Sequence, residues 1–292
     1  MPDKSTADSI TTARDIDHQV AVIGAGPTGL LVAAELALAG VDVVVLDRQD
    51  APDPTIKAGS INVATAEILD RRGLRAAAQA AQVRFVEELK AFAAKSGRAL
   101  PPVGGRGPAA DGRRPFPSTG HFAGLFFRPD LVDQNDLEIA AHPGAGDSVM
   151  VRQAEVETLL GAHGQSLGIE VVRGIEVTGM DPIRDADGVE VGMTLTTDRG
   201  PIRAGWVVAA DGGRSRIRHL AGIDFPGTEA EITGYQAIAA MEGVEGGLKP
   251  GWTHTPTGVY SFGPVPGRIL TCLLYTSPSP RDRTRSRMPS SA

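Results

Sequence analysis

Three glycines and two aspartates carry the chemistry that is legible in this chain. Gly24, Gly26 and Gly29 stand in IGAGPTGL at the spacing G-x-G-x-x-G, Asp47 closes the apolar run VDVVVLD, and Asp211 heads DGGRSRIR. The first glycine lets a chain turn sharply, the second removes a Cβ where a pyrophosphate must approach, and the third lets a helix pack closely on a strand. The helix that follows presents its first N–H groups and the positive end of its dipole to the phosphates. A carboxylate about twenty residues on, here Asp47, accepts hydrogen bonds from a ribose. Ala25, Pro27 and Thr28 lie inside the same turn and count with the glycines as cofactor contacts, although Pro27 and Thr28 bring no chemistry of their own. A glycine pattern alone is weak evidence. Here it follows a strand, opens a helix and precedes an acid-ended strand, so an adenine-bearing ligand is expected.

The elements that hold these residues follow from periodicity. The β-branched run Val20 to Ile23 reads as a strand, the stretch to Ala39 as a helix stopped by Gly40, and Val41 to Leu46 as a second strand. Ile61 to Arg72 places Ile61, Ala64, Ile68 and Leu69 on one helical face before Gly73, and the alanine-rich Ala76 to Lys95 reads as a further helix. Ser96 to Thr119 has Gly, Pro and Arg without a period, a long surface loop whose arginines Arg98, Arg106, Arg113 and Arg114 read as solvated. After the apolar Gly120 to Leu125, a new unit opens at Ser148, with an amphipathic helix over Gln153 to His163. Strands are expected over Ile169 to Arg173, Ile175 to Met180 and Val189 to Thr196, the last two joined at a hairpin turn on Asp187-Gly188. Gly205 to Ala210 reads as a buried strand, with Trp206 in the core, and Glu229 to Thr271 as two or three strands of a second sheet.

Composition narrows the class. With 41% hydrophobic and 22% charged residues, the 292-residue chain has the makeup of a globular protein large enough for a real core. A net charge of −6 argues against nucleic acid or an anionic membrane as the main partner. No apolar run approaches a membrane span, and Met1 to His18 is polar and without a strong period, a loose leader rather than a signal. The single cysteine excludes an internal disulfide framework and fits a reducing cytoplasm. The six histidines are scattered without ligand spacing, so no metal site is expected.

The motifs also carry a family resemblance. GAGPTGL, LDR, KAGSINVATAEILDRRGL, GHFAGL, VRQAEVETLL and VVAADGGRSRIRHLAGIDFPG follow in an order that closely resembles the class A flavoprotein monooxygenases, most nearly the aromatic polyketide and rifampicin-type hydroxylases, from Gln19 to about Thr271. The resemblance implies an α/β fold, a Rossmann-like FAD-binding domain of the glutathione-reductase-like type joined to a partial, mainly β-sheet substrate domain. It implies that Gly24, Gly26 and Gly29 hold the FAD pyrophosphate, that Asp47 meets the adenosine ribose and that Arg48 flanks the adenine. Lys57, Gly59 and Ser60 would approach the flavin end, Gln153 would contact FAD, and Val177 would offer its backbone to the adenine. Asp211 and Gly212 would help bind both FAD and NAD(P)H. The implied reaction is hydroxylation of a small aromatic, polyketide- or phenol-like substrate with NAD(P)H and O₂ through a flavin C4a-hydroperoxide, and no side chain is singled out as catalytic. His121 lies in a segment that lines the substrate side in relatives, yet packing or a surface hydrogen bond is the expected role, and Phe122, Phe126 and Phe127 could face an aromatic substrate but suit a core at least as well. Two alternatives stand beside this reading: an FAD- or NAD-linked dehydrogenase or reductase on the same nucleotide domain, and an inactive flavin-binding fragment.

Two departures from the family pattern stand out. Ala64 occupies a position where relatives often carry a second basic residue, and the later Gly-Asp-Ala motif of the family does not occur. Cys272 to Asp282 resembles the translation of a sequencing-library transposon adapter, so the chain reads as an N-terminal fragment whose only cysteine is not native. The expected organisation is a disordered leader over residues 1–18, an FAD-binding domain over 19–118 and 148–226, a partial substrate domain over 119–147 and 227–271, and a non-native or disordered tail over 272–292.

Overall fold

The computed structural model describes residues 16–55, 57–95, 121–122, 125–126, 148–227, 232–239, 251–256, 258–262 and 267–274. The chain divides into two compact units, Met1–Arg84 with Pro117–Phe225, and Phe85–Phe116 with Pro226–Ala292. The expectations for the leader up to residue 15, for Ser96 to Thr119, for Phe127 and for the tail beyond Leu274 lie outside the described residues.

In chain order the first unit runs β1 (His18–Ile23), α1 (Pro27–Leu38), β2 (Val43–Asp47) and α2 (Val63–Arg71), followed by α3 (Arg75–Lys95), which ends in the second unit. The short hairpin β3 (His121–Phe122) and β4 (Leu125–Phe126) comes next, then α4 (Gln153–Ser166), β5 (Glu170–Arg173), β6 (Val177–Arg184), β7 (Glu190–Thr197), β8 (Gly200–Ala209) and α5 (Arg216–Leu220). Six strands form one sheet in the order β5-β2-β1-β8-β7-β6. β5, β2, β1 and β8 are mutually parallel, whereas β7 runs antiparallel to both β8 and β6.

The apolar runs explain this layering. Alternate residues of a strand face opposite sides, so a run buried on both faces feeds two cores. Val20, Val22, Val43 and Val45 pack with Leu30, Ala33 and Ala34 of α1 and Val156 and Leu160 of α4. Ala21, Ile23, Val44 and Leu46 face the other way, onto Ile175, Val177 and Leu195. Pro27 takes the first turn of α1, where its missing N–H costs no helical bond, and Gly40 past its end has φ +81°.

Several boundaries shift for local reasons. Ile61 does not open α2, because its N–H donates to the Val149 carbonyl at 2.9 Å; the helix starts at Val63, capped by the Asn62 side chain accepting from Thr65 N–H at 2.9 Å. Gly174, at φ +64°, turns the chain between β5 and β6, so the strand starts at Val177 rather than Ile175 and continues to Arg184. The guanidinium of Arg72, just past α2, pairs with the Glu35 carboxylate of α1 and holds that carboxyl below its usual range.

Trp206 departs from the expected core position. It pairs with Val20 near the start of β1 and is 76% exposed, because it borders an open cavity of about 490 Å³ lined also by Gln19, Leu36, Val41 and Asp42. That cavity lies at the opposite end of β1 from the glycine turn.

The second unit contains β9 (Ile232–Ile238), β10 (Gly251–Thr255), β11 (Gly258–Phe262) and β12 (Arg268–Leu274), an antiparallel sheet in the order β9-β12-β11-β10. β12 continues past Thr271, placing Cys272 opposite Gly234 and Leu274 opposite Ile232.

The packing of α1 on β1 leaves no room for a side chain at Gly29. A Cβ added there would sit 1.9 Å from the Gly24 carbonyl oxygen and 3.1 Å from the Ala210 Cβ. Backbone cannot yield as a flexible side chain does, so Gly29→Ala should lower the free energy of unfolding by about 3 kcal/mol or more. Urea titration of the chain without added ligand measures this, and a variant as stable as the parent would refute the packing argument.

Candidate functional site

The site is built where β1 and β8 end side by side. Gly24 leaves β1 at φ +110°, and its N–H donates to Leu46 O at 2.7 Å. Ala210, leaving β8, donates to Ile23 O at 2.8 Å. A Cβ on Gly24 would lie 2.4 Å from Ala210 O and 3.0 Å from Asp211 N, so the glycine turn and the Asp211 turn touch through their backbones. Carboxyl ends of adjacent parallel strands are where α/β sheets bind their ligands.

Gly26 behaves differently from its neighbours. Its φ of −74° suits any residue, and nothing lies within 4 Å of where its Cβ would stand. Among the described residues, no strain and no contact requires a glycine there, which leaves open space for a ligand. Gly26 is also the N-cap of α1, with no side-chain cap and no acidic residue in the first turn. The helix start, including the exposed Thr28, therefore has the uncapped N–H groups with which a helix can receive an anion.

Asp47, at the end of β2, is tied to the same turn. Its Oδ2 accepts from Ala25 N–H at 2.6 Å and its Oδ1 from Gln49 N–H at 2.7 Å. Its carbonyl accepts from Ile175 N–H at 3.0 Å, which brings the turn before Val177 against the end of β2. Arg48 beside it is exposed, whereas the Val177 side chain is buried, leaving its main chain as the group to offer.

Lys57 to Ser60 and Gln153 also come together. The Gln153 N–H donates to Ala58 O at 3.1 Å, and its side-chain Nε2 donates to Glu157 Oε1 at 2.8 Å. Gly59, like Gly26, has nothing within 4 Å of where a Cβ would stand. Lys57 is held back by Asp53, whose Oδ2 lies 2.9 Å from Nζ. This bond, with the Thr55 N–H donating at 2.9 Å, draws the Asp53 carboxyl down to about 2.

The Asp211 turn holds further contacts that its motif does not announce. Asp211 Oδ2 accepts from the N–H groups of Arg216 (2.6 Å) and Ile217 (3.2 Å) at the start of α5. Gly212, at φ +87°, turns the chain, and Ser215 caps Arg218 N–H at 2.9 Å. Arg218 donates from Nη1 to Gly213 O at 2.8 Å while its guanidinium lies 4.6 Å from the centroid of the Phe225 ring. The S-x-x-R spacing is the available signal, since it puts a cap and its third helical residue together.

These residues fit a dinucleotide that also carries hydroxyls. Gly26 leaves a cradle that a Cβ would fill, and Asp211 Oδ1 is buried without a hydrogen-bond partner among the described residues. An orphaned carboxylate oxygen of this kind accepts a hydroxyl or a bound water.

A family model described as FAD binding domain matches residues 17–251. The chain belongs to this FAD-binding domain family. FAD is the cofactor of the family, and the cradle just described suits it. The chain is similar to a rifampicin monooxygenase of Streptomyces venezuelae, 31% identical over 85% of this chain and 43% of the relative. It is also similar to a 12-dehydrotetracycline 5-monooxygenase/anhydrotetracycline 6-monooxygenase of Streptomyces rimosus, 34% identical over 74% of this chain and 35% of the relative. Among solved structures, the OxyS anhydrotetracycline hydroxylase of Streptomyces rimosus aligns at TM-score 0.60 and 26% identity, covering 92% of this chain and 48% of that one. The Diels–Alderase PyrE3 aligns at TM-score 0.59 and 26% identity, over 91% and 50%. The chain therefore spans about half or less of the length of the relatives it matches.

Two outcomes follow for the FAD-binding domain. Gly26→Ala should lower the melting temperature by only a few degrees, the cost of alanine at an N-cap whose backbone it accepts and where it meets no described neighbour, yet weaken FAD at least about tenfold by filling the cradle. Thermal melts without FAD and flavin fluorescence titration separate the two effects; equal FAD affinity would sink the assignment. Asp53→Asn should destabilise the chain in a pH-dependent way. The folded pKa, about 2, lies below the usual 3.8, so the carboxylate's contribution is complete above pH 3.8 and is lost as pH falls through about 2. The stability gap between parent and variant should thus be constant from about pH 5 to 8 and shrink below about pH 4, as denaturant titrations at each pH would show.

Proposed function

We propose that this chain is the FAD-holding part of a monooxygenase that hydroxylates an aromatic, polyketide- or phenol-like substrate with NAD(P)H and O₂. The observation that carries the reading is the backbone contact between the Gly24 turn and the Asp211 turn, which joins two separately encoded motifs into one site. The monooxygenase names of the relatives support the reaction class.

When bound, FAD supplies the redox chemistry, accepting hydride and activating dioxygen. The chain's own residues supply placement. The N–H groups at the start of α1 would receive the pyrophosphate over the open Gly26 position, and Asp47 would meet the ribose with Arg48 beside the adenine. The Val177 backbone would meet the adenine edge, and Lys57, Gly59, Ser60 and Gln153 would face the flavin side, a grouping supported by the Gln153 N–H bond to Ala58 O. Asp211 Oδ1 accepts a hydroxyl of the cofactor or a water held by it, and Gly212 keeps the turn open for the approach of NAD(P)H.

A second reading has its own support. A relative 32% identical over 74% of this chain is a dialkyldecalin synthase of Streptomyces rugosporus, and PyrE3 shares the fold, so the same scaffold serves cyclisation as well as hydroxylation. Oxygen uptake separates the two. After loading with FAD and gel filtration, the flavin should stay bound, and NAD(P)H-dependent oxygen consumption should rise on addition of phenolic or polycyclic aromatic compounds. Bound flavin without any substrate-stimulated oxygen consumption would count against hydroxylation by this chain, and loss of flavin on the column would count against the FAD-holding role.

A further inference from the structure

Arg199 sits in the exposed turn between β7 and β8 and belongs to none of the motifs that define the site. Its guanidinium nevertheless reaches back to the turn before Val177. Nη2 donates to the Gly174 carbonyl at 2.6 Å, and the same nitrogen lies 3.0 Å from where a Gly174 Cβ would stand. On the same side, Asp50 Oδ1 lies 2.2 Å from that point, so an acid from the β2 exit and a base from the β7–β8 turn both close on one α-carbon.

The neighbouring residues follow the same scheme. Gly174 N–H donates to Gln49 O at 3.2 Å and Ile175 N–H to Asp47 O at 3.0 Å, both on the β2 side. Glu176 N–H donates to Asp198 Oδ1 at 3.1 Å, on the β7–β8 side. The Arg199 backbone is itself fixed, its N–H donating to Thr197 Oγ1 at 3.1 Å. Three consecutive residues before Val177 are thus pinned between two loops, and Arg199 supplies the charge-assisted bond on one side.

We infer that Arg199 is a positioning residue for the adenine end of the cofactor site, acting through the Gly174 carbonyl to hold the main chain of residues 175–177 in place. This rests on the proposed placement of adenine at the Val177 backbone. A residue that merely stabilised the fold would weaken every ligand alike. One that positions the adenine end should weaken only ligands that carry adenosine.

The test uses the full chain with FAD and with FMN, which lacks the adenosine half, titrated by flavin fluorescence. Arg199→Ala should weaken FAD about tenfold and leave FMN unchanged, and Arg199→Lys, which keeps a cationic donor, should recover most of the loss. Backbone amides of residues 174–176 should exchange hydrogen faster in Arg199→Ala without flavin. Unchanged FAD affinity in Arg199→Ala overturns the inference, as does an equal loss for FMN. Failure of the adenine placement itself shows differently: saturating FAD would then leave the amides of residues 175–177 in the parent chain exchanging as fast as without flavin, and the inference would fall with it.

Discussion

Everything in the site depends on one backbone contact, the approach of the Gly24 turn to the end of β8 at Ala210. A side chain at Gly24 would collide with a carbonyl, and one at Gly29 would collide with the Gly24 carbonyl in turn. These two glycines are required by the protein's own packing. Gly26, between them, has an ordinary backbone and no described atom within 4 Å of where a Cβ would stand. The familiar three-glycine pattern therefore divides into two that bring strand, helix and second motif together and one that leaves room for a ligand.

Around that contact the sheet acts as a frame. β1 is flanked by β2 and β8, both parallel to it, so Asp47, the glycine turn and Asp211 leave the sheet in the same direction. The double burial of the β1 and β2 runs fixes their heights, since each successive residue is claimed by one core or the other. A slip of one residue would exchange the two sets of side chains. The antiparallel strands β6 and β7 then bring loops from far along the chain back to the end of β2.

Much of this is readable from the residues. The β1-α1-β2 unit, α2, α4 and the strand-turn-Asp211 unit all follow from apolar period and glycine placement, and the structure shifts their ends by only a few residues. What period cannot reveal are contacts between distant segments. Trp206 reads as core because its neighbours Val207 and Val208 are apolar, yet its face is uncovered at that height. Ile61 fits a helical face but is taken by a bridge to Val149, and the strand before Met180 is shortened because Gly174 turns between two charged side chains. The family resemblance marks Gln153 as an expected cofactor contact, but its backbone bond to Ala58 is not legible, since such a partner is chosen by the fold and not by spacing.

Asp47 carries a consequence for redesign. Its carboxylate is engaged on both oxygens by main-chain N–H groups, one from the glycine turn and one from its own strand exit. Replacing the acid at this point in the sheet changes the group that would meet the ribose. Here such a replacement would change the ligand's surroundings and release the turn that cradles it in the same stroke. Any ligand contact at Asp47 would thus be bound up with loop order, whereas the exposed Arg48 next door carries no such tie to the glycine turn among the described hydrogen bonds.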